Sequence, residues 1–188
     1  MQKNLSKNES YRPAEDTFFL ADYLENEKGA SALDIGTGSG YLAKILSSNF
    51  SLVVATDVDF HSLRAQNEKF PNLICCNAAD AIRIKFDLIV CNMPYLPSEK
   101  LSDRTIDGGK DGVEIPLKII KSAKRCLDNN GKFLFLVSSL GNFQNLLEKT
   151  KDLGFDVQII GTKKLFYEKL ILVKGVKKDL NQQTCSPR

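Results

Sequence analysis

No apolar run in this sequence approaches the roughly 20 residues that span a bilayer. The polar residues 1–11 also lack an apolar core of signal-peptide length, so a cytosolic protein with no membrane contact is expected. Charge of one sign is lacking too: 26 Lys+Arg against 23 Asp+Glu leave +3, which neither requires nor excludes a nucleic-acid partner. Paired Cys-x-x-Cys spacing is absent. Cys75, Cys76, Cys91, Cys126 and Cys185 form an odd set, and a structural zinc needs four convergent ligands; buried reduced thiols are expected, and no metal site. No internal repeat is seen, and no second domain is expected. What is there, 188 residues of which 43% are hydrophobic, suffices for one domain with a substantial core, expected over 11–176 between flexible polar tails at 1–10 and 177–188.

Short β-rich runs alternate with helix-like stretches. Strands are expected over 32–35, 52–56, 73–76, 86–91, 132–137, 155–160 and 169–173, and helices over 41–48, 60–68, 113–127 and 142–153. That alternation predicts an α/β fold, a mainly parallel seven-stranded sheet with helices on both faces. The last two strands leave no room for a crossover helix, so they predict an antiparallel hairpin at one edge. Ahead of the first strand, Arg12-Pro13-Ala14-Glu15-Asp16-Thr17 reads as a helix start with Pro in the first turn, and Phe18, Phe19, Leu20, Tyr23 and Leu24 supply its apolar face.

Leu33-Asp34-Ile35-Gly36-Thr37-Gly38-Ser39-Gly40 is a strand entering a glycine-rich turn and then a helix, a place where backbone can lie against a ligand. The spacing Gly36-x-Gly38-x-Gly40 lacks the longer second gap of the dinucleotide fingerprint. Asp57, about 20 residues further on at the end of the second strand, can accept both hydroxyl hydrogens of a ribose, whether of NAD or of adenosylmethionine. Asp80, beside Ala81 after the third strand, could take an adenine amine, and Asp34 lies close enough to the turn to face a cationic group. Several acids around one ligand suit a positively charged cofactor better than a pyrophosphate. Asp59 and His61 read as surface residues of a helix start.

The fourth strand runs straight into Asn92-Met93-Pro94-Tyr95, which should share a crevice with the glycine turn beyond the carboxyl ends of the strands. An amide nitrogen is a poor nucleophile because its lone pair is delocalised. Acceptors for both of its hydrogens, here Asn92 Oδ1 and a following backbone carbonyl, would turn that lone pair toward an incoming methyl. Pro94 braces the turn, and Tyr95 offers a flat face to a planar group. Lys100, Arg104 and Lys110, with Gly108 and Gly109, outline a loop that could close over a substrate.

The glycine turn and Asn-Met-Pro-Tyr together resemble the class I methyltransferases related to HemK/PrmC, which methylate the glutamine of the Gly-Gly-Gln motif in translation release factors. Tyr11-Arg-Pro-Ala-Glu-Asp-Thr17 and Asp107-Gly-Gly-Lys-Asp-Gly112 resemble the short eukaryotic and archaeal branch. The resemblance implies a Rossmann-like fold and S-adenosylmethionine as cofactor, held by Thr17, Asp34, Gly36, Gly38, Gly40, Asp57, Asp80, Ala81 and Asn92. Asn92 and Tyr95 would hold the substrate glutamine, with Asn92, Met93, Pro94 and Tyr95 forming the catalytic turn. It also implies a class 1 release factor as substrate and a small zinc-binding activator covering an apolar sheet edge, for which 73–76 is the candidate. Where the family carries Asn-Pro-Pro-Tyr this chain has Met93; the carbonyl survives but the fixed φ of proline is lost, so retained chemistry with less preorganisation, or a shifted substrate preference, is expected. Two other readings remain: methylation of an exocyclic adenine amine in DNA or RNA, which presents the same planar N–H₂, and a cofactor-binding subunit whose transfer site has weakened.

Overall fold

The computed structural model describes residues 13–66, 72–99 and 105–178. Helix α1 (Glu15–Leu24) leads into β1 (Gly29–Ile35), α2 (Tyr41–Ser47), β2 (Phe50–Asp57), α3 (Phe60–Ala65), β3 (Leu73–Cys75) and β4 (Phe86–Asn92). Two short strands, β5 (Leu96–Pro97) and β6 (Asp107–Gly109), and a 3-10 turn at Lys110–Gly112 precede α4 (Glu114–Cys126). Then come β7 (Leu127–Ser138), α5 (Phe143–Asp152), β8 (Phe155–Lys164) and β9 (Lys169–Lys177).

The main sheet has seven strands in the order β3-β2-β1-β4-β7-β9-β8. All neighbours are parallel as far as β7; β9 runs antiparallel to both β7 and β8, which makes the expected terminal hairpin. Side chains alternate between two cores, as the strand period of two requires. Leu33, Ile35, Ile89, Cys91, Phe133 and Phe135 face α4 and α5, while Ala32, Leu88, Val90, Leu134 and Leu136 face α1 and α2. Each such fully buried Leu, Ile or Phe contributes about 1.5–3 kcal/mol. Two filled faces explain why the strands read as continuous apolar runs.

Several boundaries differ from expectation. Pro13 precedes α1 rather than sitting in its first turn, because Ala14 is extended at the N-cap (φ −117°, ψ −173°). Within α1, Phe19, Leu20 and Leu24 are buried, but Phe18 is exposed and stacks edge-on against Tyr41 at 5.4 Å. Strand β9, expected to end at 173, continues through Lys177, whose ammonium donates to the Leu127 carbonyl. Cys91 and Cys126 are buried free thiols, but Cys75 is exposed and Cys76 half-buried on the sheet edge. The expected tail 1–10, Tyr11, Arg12, the far end of helix 60–68 and Cys185 lie outside the described residues. Among the described residues no helix is long and apolar enough to cross a membrane.

Candidate functional site

The strand order reverses between β1 and β4, and both carry a functional turn at their carboxyl ends: Ile35 pairs with Cys91, so Gly36 and Asn92 leave neighbouring strands at the same level. Such a switch point opens a ligand crevice in a parallel sheet.

On the β1 side, Gly36 N and Thr37 N both donate to the Thr56 carbonyl at the end of β2, at 2.8 and 3.0 Å, which hooks the glycine turn onto the second strand. Gly36 is exposed, with φ +73°, and a Cβ built there would project into open space. The turn therefore leaves its backbone bare on that side. Asp57 is tied to the same turn: its Oδ2 accepts from Gly38 N at 2.8 Å and its Oδ1 from Asp59 N at 2.9 Å. Gln66, to which the sequence gives no clue, donates through Nε2 to the Gly38 carbonyl at 2.9 Å and lies where a side chain on Gly40 would collide.

Asp34 is wholly buried. Its Oδ2 accepts from Thr37 Oγ1 at 2.7 Å, while its Oδ1 is enclosed with no hydrogen-bond partner. Burial pushes its pKa up to about 7; the Thr37 bond offsets part of this, repulsion from Asp57 adds to it, and the nearby Ala43 amide contributes least. A buried carboxylate with an unused oxygen suits a positively charged group.

On the β4 side, Asn92 Nδ2 donates to Asp16 Oδ2 at 3.1 Å and approaches Thr17 Oγ1 at 3.4 Å. Its Oδ1 is buried and has no partner. Met93 is tied twice: its N–H donates to the Leu136 carbonyl at 3.3 Å, and its side chain is 2% exposed in the α4–α5 core. The expected loss of order at Met93 is therefore offset, since proline could not make the bond to Leu136. With the carbonyl as the expected acceptor and the side chain in the core, Met93→Leu is expected to keep kcat within about threefold and stability within about 1.5 kcal/mol, as volume-conserving core exchanges do. Steady-state turnover and thermal melting check this. Cys91 is no nucleophile: burial pushes its thiol well above the ordinary value, with Asp34 and Asp57 adding to the shift, so it stays neutral.

Behind the turn lies a glycine cradle. A Cβ on Gly112 would lie 2.2 Å from the Tyr95 carbonyl oxygen, one on Gly141 2.7 Å from the same atom, and one on Gly108 2.9 Å from the Pro94 carbonyl oxygen. Leu96 N donates to the Ile106 carbonyl at 2.9 Å, and Asn142 N to Asp111 at 2.9 Å. Of the expected lid, Gly108 and Gly109 are instead buried in strand β6 against the Asn-Met-Pro-Tyr turn and Lys110 is exposed at the 3-10 turn, while Lys100 and Arg104 lie outside the described residues.

Asp80 does not extend a free carboxylate either. Its Oδ1 accepts from Ser122 Oγ and Arg125 Nη2, each at 2.8 Å, and its Oδ2 from Asn77 Nδ2 at 3.0 Å. The Ser122 and Asn77 bonds foremost hold its pKa below the usual value. Ala81 beside it is exposed. Asp59 caps α3, accepting from His61 N and Ser62 N, as its sequence position suggests.

A reversed parallel sheet with an antiparallel terminal hairpin, a bare glycine turn and an amide-bearing Asn-Met-Pro-Tyr turn at the switch point together define a class I methyltransferase. Comparison of the sequence with known families agrees with this. The chain belongs to the methyltransferase small domain family, whose model matches residues 14–166. It is 31% identical over 180 residues to a Methanocaldococcus jannaschii protein named as a protein N5-glutamine methyltransferase, covering 89% of this chain and 91% of that one. It is 27% identical over 172 residues to mouse methyltransferase HEMK2, covering 77% and 78%. Among solved structures it resembles a chain of the E. cuniculi Mtq2–Trm112 complex, described as responsible for methylation of the termination factor eRF1. The TM-score is 0.78 with 26% identity, over 90% of this chain and 99% of that one.

Proposed function

We propose that this protein transfers a methyl group from S-adenosylmethionine to the side-chain amide nitrogen of a glutamine, in the Gly-Gly-Gln motif of a class 1 release factor. The observation that carries the reading is the buried, unpartnered Oδ1 of Asn92, an acceptor placed where the glycine turn and the catalytic turn meet. Similarity to a protein named as an N5-glutamine methyltransferase, and to a chain of a complex described as methylating a termination factor, supports the choice of acceptor.

The residues present fit the cofactor. The open Cβ direction at Gly36 leaves backbone for it to lie on, the free oxygen of buried Asp34 suits its cationic amino-acid end, and Asp57, fixed at Gly38, suits its ribose. Ala81 and Asp80 would border the adenine, with Asp80 sharing its carboxylate with Ser122 and Arg125. Thr17, buried beside Asn92, closes the amino-acid end. The cofactor supplies a sulfonium-activated methyl group. Asn92 Oδ1 and the Met93 carbonyl would accept the two amide hydrogens and turn the nitrogen lone pair toward that methyl, with Tyr95 stacked on the amide plane; the bond to nitrogen forms as the methyl–sulfur bond breaks, and one amide proton leaves to solvent. A small zinc-binding activator covers the edge at β3, where Cys75 and neighbouring Val58 and Phe60 are exposed. A translation-factor substrate places the reaction in the cytoplasm.

Asp34 gives this reading a pH signature. In the free protein its carboxyl is half protonated near pH 7, and a cation bound beside it favours the charged form. Cofactor affinity is expected to rise as pH rises toward 7 and to level off above it, with proton release on binding below pH 7. With the pKa raised from 3.8 by folding, the native state binds the extra proton between those values, so this group's contribution to the stability of the free protein falls as pH climbs from 4 to 7. Calorimetry across pH 5.5–8.5 in buffers of different ionisation heat checks this; Asp34→Asn should flatten the profile, and a flat wild-type profile contradicts it.

Mass spectrometry of a release factor incubated with enzyme and labelled cofactor tests the function. A +14 Da shift on the Gly-Gly-Gln peptide, about one methyl group, is expected. Label confined to nucleic acid would move the assignment to an adenine amine, whose planar N–H₂ the same acceptors fit.

A further inference from the structure

We propose that Asp16 is a positioning residue that sets the orientation of the Asn92 amide, so that an oxygen and not an N–H₂ faces the methyl acceptor. The inference rests on the reading of Asn92 as the acceptor-holding residue.

A terminal amide has two nearly equivalent settings, related by a half turn about χ2. In one setting Asn92 presents an acceptor to the substrate nitrogen. In the other it presents a donor to a group whose hydrogens are also donors, and the site repels what it should hold. Nothing in the sequence of the catalytic turn chooses between them. The choice is made from α1: Asp16 Oδ2 takes a hydrogen bond from Asn92 Nδ2 at 3.1 Å. A carboxylate has only acceptors, so it can engage only the nitrogen end of the amide, which leaves Oδ1 for the crevice. Asp16 is itself held, because its Oδ1 accepts from Thr17 N at 2.6 Å and from Thr17 Oγ1 at 3.3 Å in the first turn of α1. Thr17 Oγ1, 3.4 Å from Asn92 Nδ2, seconds the contact.

Asp16 therefore needs an acceptor at both ends. Asp16→Asn keeps the shape but offers one oxygen and one nitrogen. With its nitrogen toward Thr17 it opposes a backbone N–H, and with its nitrogen toward Asn92 it drives the Asn92 amide to turn over. Asn92→Asp places two carboxylates against each other. The double variant Asp16→Asn/Asn92→Asp resolves both conflicts: the new amide keeps its oxygen on Thr17 N, its nitrogen donates to the new carboxylate, and the second oxygen of that carboxylate faces the site.

The experiment measures kcat, the acceptor KM and cofactor affinity for the full-length wild type, Asp16→Asn, Asn92→Asp and the double variant. The acceptor is whichever amine, glutamine or base, the wild type methylates, so a failure of the release-factor assignment is seen separately in the wild-type reaction. Asp16→Asn is expected to lower kcat by about 10²-fold, the cost of misplacing one reacting group by ~1 Å, with cofactor affinity nearly unchanged. The double variant should recover at least about tenfold over Asn92→Asp, about half of that loss on a logarithmic scale. Unchanged kcat in Asp16→Asn, or a double variant no better than Asn92→Asp, overturns the proposal. A second measurement needs no acceptor: the Asn92 side-chain N–H₂ signals, assigned by their loss in Asn92→Ala, should exchange slowly with solvent in the wild type and faster in Asp16→Ala. Equal exchange in both overturns it as well.

Discussion

Asn92→Ala is expected to lower kcat by about 10²–10³-fold while cofactor affinity stays within about one order of magnitude. In the proposed mechanism this variant removes one of two acceptors for the reacting nitrogen and leaves the Met93 carbonyl, so transfer should be crippled without falling to the uncatalysed rate. The sparing of cofactor binding follows from the geometry. The glycine turn is hooked to β2 through Thr56 and to Asp57 through Gly38, and neither contact passes through Asn92. Folding should also survive, because Asn92 is only half-buried and its strand is held by six register pairs to β7, Phe86 with Leu127 through Asn92 with Leu136. Steady-state turnover with labelled cofactor, calorimetry and a melting curve separate the three effects. A variant retaining a third or more of wild-type kcat would remove Asn92 from the mechanism.

The sequence made the two turns legible because each is a local object: a strand, then a few residues whose types have few other uses in that place. Asp57 was legible for the same reason, as an acid at a strand end one unit after the glycines. The sheet and its hairpin followed from alternation and from the missing crossover between β8 and β9. What stayed hidden is the set of contacts between segments far apart in the chain. The pairing of Leu96–Pro97 with Asp107–Gly109 involves residues with no strand pattern of their own, so the stretch read as an open loop. Asp80 looked like a free acid because Ser122 and Arg125 lie more than a strand and a helix away. Asp16 looked like a helix-start acid, and it is one; its second role on Asn92 has no local mark. The long, polar beginning of β7, Asp128-Asn129-Asn130, fell outside the strand expected over 132–137 because its side chains are exposed.

The Asn-Met-Pro-Tyr turn is thus held by three segments: the first turn of α1 on its amide, β7 on the Met93 N–H, and the glycines on its carbonyls. The last of these predicts the second large effect, at Gly112→Ala. A methyl group at that position adds two separate penalties. The backbone there has φ +69°, which costs a non-glycine residue about 1–2 kcal/mol. The new Cβ would also lie 2.2 Å from the Tyr95 carbonyl oxygen and 3.1 Å from the Gly141 Cα. Both obstacles are backbone, so no side-chain rotation relieves them, and the turn carrying Asn92, the Met93 carbonyl and Tyr95 has to move by about 1 Å. A displacement of that size costs about 10²-fold in rate. We expect kcat to fall by at least that factor and stability by at least about 2 kcal/mol, which for a chain of this length lowers Tm by about 4–8 °C. Gly36→Ala is the matching control: it shares the positive φ, +73°, but its Cβ meets nothing within 4 Å. That variant should lose cofactor affinity and keep the acceptor turn, so at saturating cofactor its kcat should approach that of the wild type. If the two variants lose kcat equally, the strained backbone alone is responsible and the glycine cradle has no part in holding the catalytic turn.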